Sequence, residues 1–256
     1  MKKFWILLMC VCVEVQALYF GNPASPQIIE HGFFIPIDSL FSCKLGFEKD
    51  WVFDRKLHLY GNDQGYTETF KYGMNQGMFT LVFLDRLEVY GSMGSFETTF
   101  SNRLAIDNKQ RDYHSIDKIT YGGGGRLLLA QFGKVIIGVD GKFQYANPRI
   151  DSVTVNGVGY SSRSRVAYRE SQAGFGIAFE VKPLMPYLGV KYSEATAHVN
   201  GLKKDISPVS RFKMRSKGRC GMVVGCTLSS GKIADLTVEA SLFDEQSSTV
   251  AGNLKF

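Results

Sequence analysis

Hydrophobic and polar positions alternate with a period of two along most of this 256-residue chain. The stretch KVIIGVDGKFQYA (134–146) sets Val135, Ile137, Val139, Phe143 and Tyr145 against Ile136, Gly138, Asp140, Lys142 and Gln144. IADLTVEASL (233–242) sets Leu236, Val238, Ala240 and Leu242 against Asp235, Thr237, Glu239 and Ser241. PYLGVKYSEA (186–195) sets Leu188, Val190 and Tyr192 against Gly189, Lys191 and Ser193. Side chains leave a strand on alternate faces, so the pattern predicts half-buried β-strands. Alternation alone does not say which face is dry, because a soluble sandwich and a membrane barrel share it.

The connections choose between the two. Short turns fall at Asp85-Arg86, Gly133-Lys134, Pro183-Leu184-Met185 and 229–232, and long polar stretches at 101–117, 148–165 and 200–209 lie between them. Short turns at one end and long loops at the other are the arrangement of a transmembrane barrel. The predicted strands run over 41–58, 68–84, 87–100, 118–132, 134–147, 165–182, 186–199, 209–229, 233–242 and 246–256. They are long, as spanning strands of about 9–11 residues must be. The fold class is therefore all-β, an antiparallel up-and-down transmembrane barrel of about ten strands, with eight or twelve also compatible. The closing STVAGNLKF ends on Phe256, in the manner of outer-membrane barrels, where a final aromatic serves as the insertion signal.

The first residues change the compartment. Lys2 and Lys3 precede an apolar run from Phe4 to Val13, too short to span a bilayer as a helix, and Val15-Gln16-Ala17 fits a cleavage site. The expected organisation is a Sec signal peptide at 1–17, a periplasmic or intra-barrel lead-in at 18–39 and a barrel at 40–256. Loss of the leader lowers the formal charge of +6 by one, a mild excess that gives no case for nucleic acid. Cys43, Cys220 and Cys226 remain, an odd number that excludes a full disulfide framework.

Candidate chemistry is sparse. His31, His58, His114 and His198 have no Cys, Asp or Glu at a metal spacing. His58 and His198 fall near external strand ends, but nothing marks a nucleophile or activated water beside them, so the expectation is no enzyme, no metal and no cofactor. YGGGGR (121–126) lacks the Lys-Ser/Thr of a phosphate loop, and its glycines read as places where a sheet bends or leaves room inside. RFKMRSKGR (211–219) is the most pointed signal. Arg211, Lys213, Arg215, Lys217 and Arg219 share one face of a strand. Continued without interruption, that register puts Cys220, Met222, Val224, Cys226 and Leu228 on the face of Phe212 and Met214. That face suits lipid and turns the five charges to the lumen. The same reasoning brings Arg126, Lys142, Lys191 and Lys255 inside, with the acids Asp140, Glu180, Asp235 and Glu239. The alternatives are charges that pair across a filled barrel, or an upper segment Arg211–Lys217 that stands above the membrane and meets lipid phosphate.

Several segments, in order along the chain, resemble the chlamydial major outer membrane porin family: GNPASP (21–26), DWVFDRKL (50–57), LDRLEVYGSMG (84–94), FQYA (143–146), PYLGVKYSEA (186–195) and VEASLFDEQSSTVAGNLKF (238–256). The resemblance implies an outer-membrane barrel that passes small hydrophilic solutes, with outer-membrane lipid, the barrel-insertion machinery and further copies in a homotrimer as partners. The chain is shorter than that family, chiefly in the loops, and poor in its cysteines. The expected function is a porin-like diffusion channel, anion-leaning through its basic strand. The rival is a closed structural or adhesin barrel that works through its loops.

Overall fold

A computed structural model describes residues 19–29, 40–60, 65–181, 183–231 and 233–256. The expected leader and the lead-in residues 30–39 lie outside the described residues. A one-turn helix α1 (Ser25–Ile28) precedes the sheet. Ten strands then close into an antiparallel barrel: β1 (Phe41–Arg55), β3 (Gly65–Phe83), β4 (Leu87–Leu104), β6 (Lys118–Phe132), β7 (Val135–Ala146), β10 (Arg165–Phe179), β11 (Leu184–Asn200), β13 (Cys220–Ser229), β14 (Ala234–Leu242) and β15 (Glu245–Lys255). Neighbours in sequence pair with each other. The ring closes where Lys44 of β1 meets Lys255 of β15. Closure is what lipid demands, because an open edge would leave backbone groups without partners in hydrocarbon.

The outward positions carry the lipid face. Phe41, Leu45 and Phe47 on β1, Phe175 and Phe179 on β10, and Leu188 and Val190 on β11 are all exposed. Tyr121, Tyr145 and Tyr192 cap this apolar band toward the loop end, and Arg169 and Glu194 follow above them. An aromatic girdle between hydrocarbon and charge is the interface pattern of outer-membrane barrels.

Five shorter elements extend the wall beyond that girdle. β5 (Gln110–Ser115) continues alongside β4 and pairs with β8 (Ile150–Val155), which makes a hairpin with β9 (Val158–Ser161) through Asn156-Gly157. On the other side β12 (Arg211–Ser216) pairs with both β11 and β2 (Leu57–Tyr60). Arg111 of β5 is buried; its Nε donates to the Ile206 carbonyl at 2.9 Å, which fastens the 201–210 loop. Its guanidinium also pairs with Asp107 and holds that carboxyl below its usual range. A lowered carboxyl stabilises the fold above its unfolded value, and the contribution fades as pH falls through the folded value.

β12 and β13 are not one continuous strand. Tyr192 of β11 faces Cys220, whereas Thr196 faces Arg215. Four steps on β11 thus match five on its partner, so one extra residue is inserted at 217–219. A single inserted residue moves the side chains beyond it to the other face.

The topology predicts accessibility. An epitope inserted at Asn156-Gly157 is expected to be labelled on intact cells, and one at Gly133-Lys134 only after permeabilisation. Labelling of the 133–134 site on sealed cells would reverse the orientation.

Candidate functional site: the barrel lumen

The inward positions are not lined by water. Starting at the turn end, residues 19–29 lie inside the barrel, with Tyr19, Phe20, Ile28 and Ile29 all buried. Phe20, Ala24, Ile28 and Ile29 form an apolar cluster with Leu128, Ile136, Met185 and Val223 of the wall. The wall is cut to fit. A Cβ added at Gly174, Gly176 or Gly189 would lie 2.5, 2.9 or 3.0 Å from the Phe20 ring. Gly21 has φ of +85° and faces Arg126 so closely that a Cβ would meet Nη2 at 2.0 Å. Both features require glycine.

The backbone of this segment is held by wall side chains. Glu239 accepts from the amides of Phe20 and Gly21, both at 2.7 Å, and from Tyr187 Oη at 2.6 Å. Arg126 donates to the Phe20 carbonyl at 2.9 Å, Lys44 to the Ser25 carbonyl at 2.7 Å and Lys255 to the Ile29 carbonyl at 2.8 Å. Asn22 returns two bonds, to the Met185 carbonyl and to Thr227.

Beside and above the segment lies a network of buried ion pairs. Glu88 takes Lys44 at 2.6 Å and Arg126 at 2.8 Å, and Arg126 also reaches Asp140 at 3.4 Å. Lys142 pairs with Glu48 at 2.6 Å. Nearer the loop end Arg55 meets Glu170, Asp244 and Glu245 at 3.1, 3.1 and 2.9 Å, and Lys191 pairs with Glu245. Asp244 reaches inward from the tight β14–β15 turn, where Gly221 leaves room for its carboxylate.

An aromatic tier closes the top. Phe70, Tyr72, Phe96, Phe100 and Tyr168 stack across the bore, and Tyr113 of β5 lies on Phe100 with centroids 4.5 Å apart. Phe212 meets Phe100 and Tyr113 edge-on, and Met214 is fully buried in the same cluster. Glu170 joins the two tiers by accepting from the hydroxyls of Tyr72 and Tyr168.

The expected site residues divide in two. Arg126, Lys142, Lys191, Lys255, Asp140, Asp235 and Glu239 face the lumen and are buried; Glu180 is half-buried at the turn end. The five basic residues do not join them. Arg211, Lys213 and Arg215 point outward from β12, Lys217 is exposed in the irregular stretch, and Arg219 donates outside to Tyr192 Oη at 3.2 Å. The uninterrupted register from 211 to 228 is corrected here. The inserted residue at 217–219 leaves Cys220, Val224 and Leu228 toward lipid as expected, while it turns Phe212 and Met214 inward. Phe256 donates its amide to the Cys43 carbonyl at 2.8 Å.

Lys44, Glu48, Asp50, Arg55, Glu88, Glu170, Asp244 and Glu245 are lumen groups that the sequence pattern alone did not single out. Alternation signals the first three, since Lys44, Glu48 and Asp50 alternate with Leu45, Phe47 and Trp51. Among the described residues, nine buried carboxyl groups in the lumen (Glu48, Asp50, Glu88, Asp140, Glu170, Asp235, Glu239, Asp244, Glu245) face six cations (Lys44, Arg55, Arg126, Lys142, Lys191, Lys255). Among the described residues no group of three His, Cys, Asp or Glu is placed to hold a metal ion. His58 and His198 flank β12, opposite Arg215 and Lys213 respectively.

No family model matches the chain. Among curated proteins it is similar to the major outer membrane porin of Chlamydia pneumoniae, 20% identical over 373 aligned positions that cover 95% of each chain. The major outer membrane porin, serovar B, of Chlamydia trachomatis is 20% identical over 379, again covering 95% of each. Alignments of that length against 256 residues mean that the relatives carry segments with no counterpart here. Among solved structures, the Escherichia coli outer membrane protease OmpT has a TM-score of 0.43 at 8% identity, over 84% of this chain and 95% of that one. An outer membrane channel of Pseudomonas putida F1 has a TM-score of 0.41 at 12% identity, over 88% and 100%. Likenesses at that level carry no argument about activity.

The network makes Arg126 a test of how the lumen is held. Removing one partner of a buried pair costs about 3–5 kcal/mol, because the partner charge is left without compensation. Arg126→Met is expected to lose stability of that order in denaturant unfolding of the refolded barrel. Adding Glu88→Gln and Asp140→Asn should recover much of it. An unchanged midpoint for Arg126→Met alone would mean that water, rather than ion pairs, fills this tier.

Proposed function

From its similarity to the chlamydial major outer membrane porins, we propose that the chain is an outer-membrane channel of that family, held shut at rest. The observation that carries this reading is the segment 19–29 inside the lumen, bonded to the wall through Glu239, Arg126, Lys44 and Lys255. No covalent bond other than the chain itself ties the segment to the wall, only these hydrogen bonds and the apolar packing of Phe20, Ala24, Ile28 and Ile29, so it can act as a plug. Conduction requires the segment to leave and the aromatic tier to part. Anion preference loses its source, because the basic strand faces outward and the lumen is rich in carboxyl groups. Any current should lean toward cations, since the fixed charge along a bore sets which ions enter. The reading involves no catalytic step and no cofactor. Trimer formation and recognition of Phe256 by the insertion machinery remain part of it as implications of the family resemblance.

A second reading is a permanently closed envelope barrel. It is favoured by the upper tier, whose Phe70, Tyr72, Phe96 and Phe100 belong to the wall itself and cannot withdraw with a plug.

Planar-bilayer recording separates the two. The mature chain should show rare stepwise openings. The plug-releasing variant Glu239→Gln with Arg126→Gln should raise the open fraction severalfold, with a reversal potential on the cation side. Silence of both proteins, with folding verified by heat-modifiable migration, would leave the closed barrel as the function.

A further inference from the structure

The five basic residues that the lumen does not use lie together with others just beyond the lipid band. Outward positions of neighbouring strands bring Arg169 of β10, Lys213 and Arg215 of β12 and the stretch up to Arg219 onto one surface. Among the described residues of β2, β10, β11 and β12, Glu194 is the one outward carboxylate, and it pairs with Arg215. Two cations are fixed by tyrosines of the girdle and two more lie above it. The Arg169 guanidinium lies 5.5 Å from the Tyr145 ring centre, and Arg219 bonds Tyr192. Lys213 and Arg215 lie 5.5 and 5.9 Å from the Tyr60 ring. Tyr145 and Tyr192 sit where headgroups begin, and Tyr60 stands above them. The charges they hold therefore meet the phosphate layer rather than bulk water.

We propose that this face binds the phosphate groups of outer-leaflet lipid, as a phosphorylated glycolipid presents them. Charge complementarity supports the choice. Arginine forks match phosphate oxygens two at a time, and several cations spaced along one face suit a lipid that carries more than one phosphate. A freely diffusing phosphate has no enclosed site here, because these side chains lie on an open sheet face. Lipid supplies what the surface lacks, since its acyl chains lie against Leu188 and Val190 of the same wall while its phosphates reach the basic residues. The outer leaflet follows from the loop end facing outward. The proposal stands whether or not the lumen conducts.

The test uses the refolded mature chain in discs of neutral lipid doped with lipid A, with dephosphorylated lipid A, or with neither plus inorganic phosphate. The readouts are tightly bound lipid per barrel and the unfolding midpoint. Lipid A should bind and raise the midpoint; the dephosphorylated lipid and inorganic phosphate should do neither. Arg169→Gln with Arg211→Gln and Lys213→Gln leaves the Arg215–Glu194 pair and the lumen intact. It should weaken lipid A binding about tenfold or more, since each basic residue at a membrane surface contributes several-fold. Should the triple variant fold poorly, Arg169→Gln alone and a salt titration of the parent decide the same question, because phosphate contacts weaken as salt screens them. Equal binding of the dephosphorylated lipid, binding that ignores salt, or an unaffected triple variant would overturn the proposal. Equal stabilisation by inorganic phosphate would overturn the lipid assignment.

Discussion

A ten-stranded wall must close on itself in lipid, and closure at this size leaves a narrow bore that has to be filled. The rest of the structure follows from that constraint. Every second residue on ten strands points into one small space, so inward charges cannot each keep a hydration shell. They must find one another. Lys142 meets Glu48, Glu88 holds Lys44 and Arg126 together, and Arg55 gathers three carboxylates. Burying a charge is costly unless it is paired and hydrogen-bonded, so the network is a condition of having these residues inside at all.

The segment 19–29 completes that condition. Several wall charges finish their bonding on its backbone rather than on another side chain: Glu239 on the amides of Phe20 and Gly21, Lys255 on the Ile29 carbonyl. The wall glycines 174, 176 and 189 make the matching recess for Phe20. Without the segment, the lower bore would hold unmatched charges beside an apolar hollow. Water would have to enter as far as the aromatic tier. Occupancy of one short stretch of chain thus sets both the stability and the hydration of the lower barrel.

Alternation made the barrel legible in the sequence. It is enforced residue by residue, and the short turns at 85–86 and 133–134 mark one rim without ambiguity. Inward placement of Lys142, Asp140, Lys191 and Glu239 came from the same rule. Two things did not follow from it. Pairing across the bore joins residues far apart in sequence, such as Arg55 with Glu170 and Glu245, and no local pattern encodes which strand lies opposite. Parity also fails wherever a strand gains one residue, and the stretch KGR at 217–219 looks like any other part of its strand.

That single inserted residue decides how the upper half is built. Below it, Gly221, Val223 and Thr227 face in and Cys220, Val224 and Leu228 face out. Above it, unbroken parity would send Phe212 and Met214 outward and crowd five cations into the space where Phe100 and Tyr113 stack. Neither arrangement is tolerable. A dry aromatic tier cannot hold five unpaired charges, and the surface just above the girdle gains nothing from a phenyl ring. The bulge lets one strand answer two environments. It is lipid-facing with period two below, turns over at the girdle, and continues with its apolar side on the aromatic tier and its basic side at headgroup height. The position of the insertion, beside Tyr192 at the top of the lipid band, is therefore set by where hydrocarbon ends.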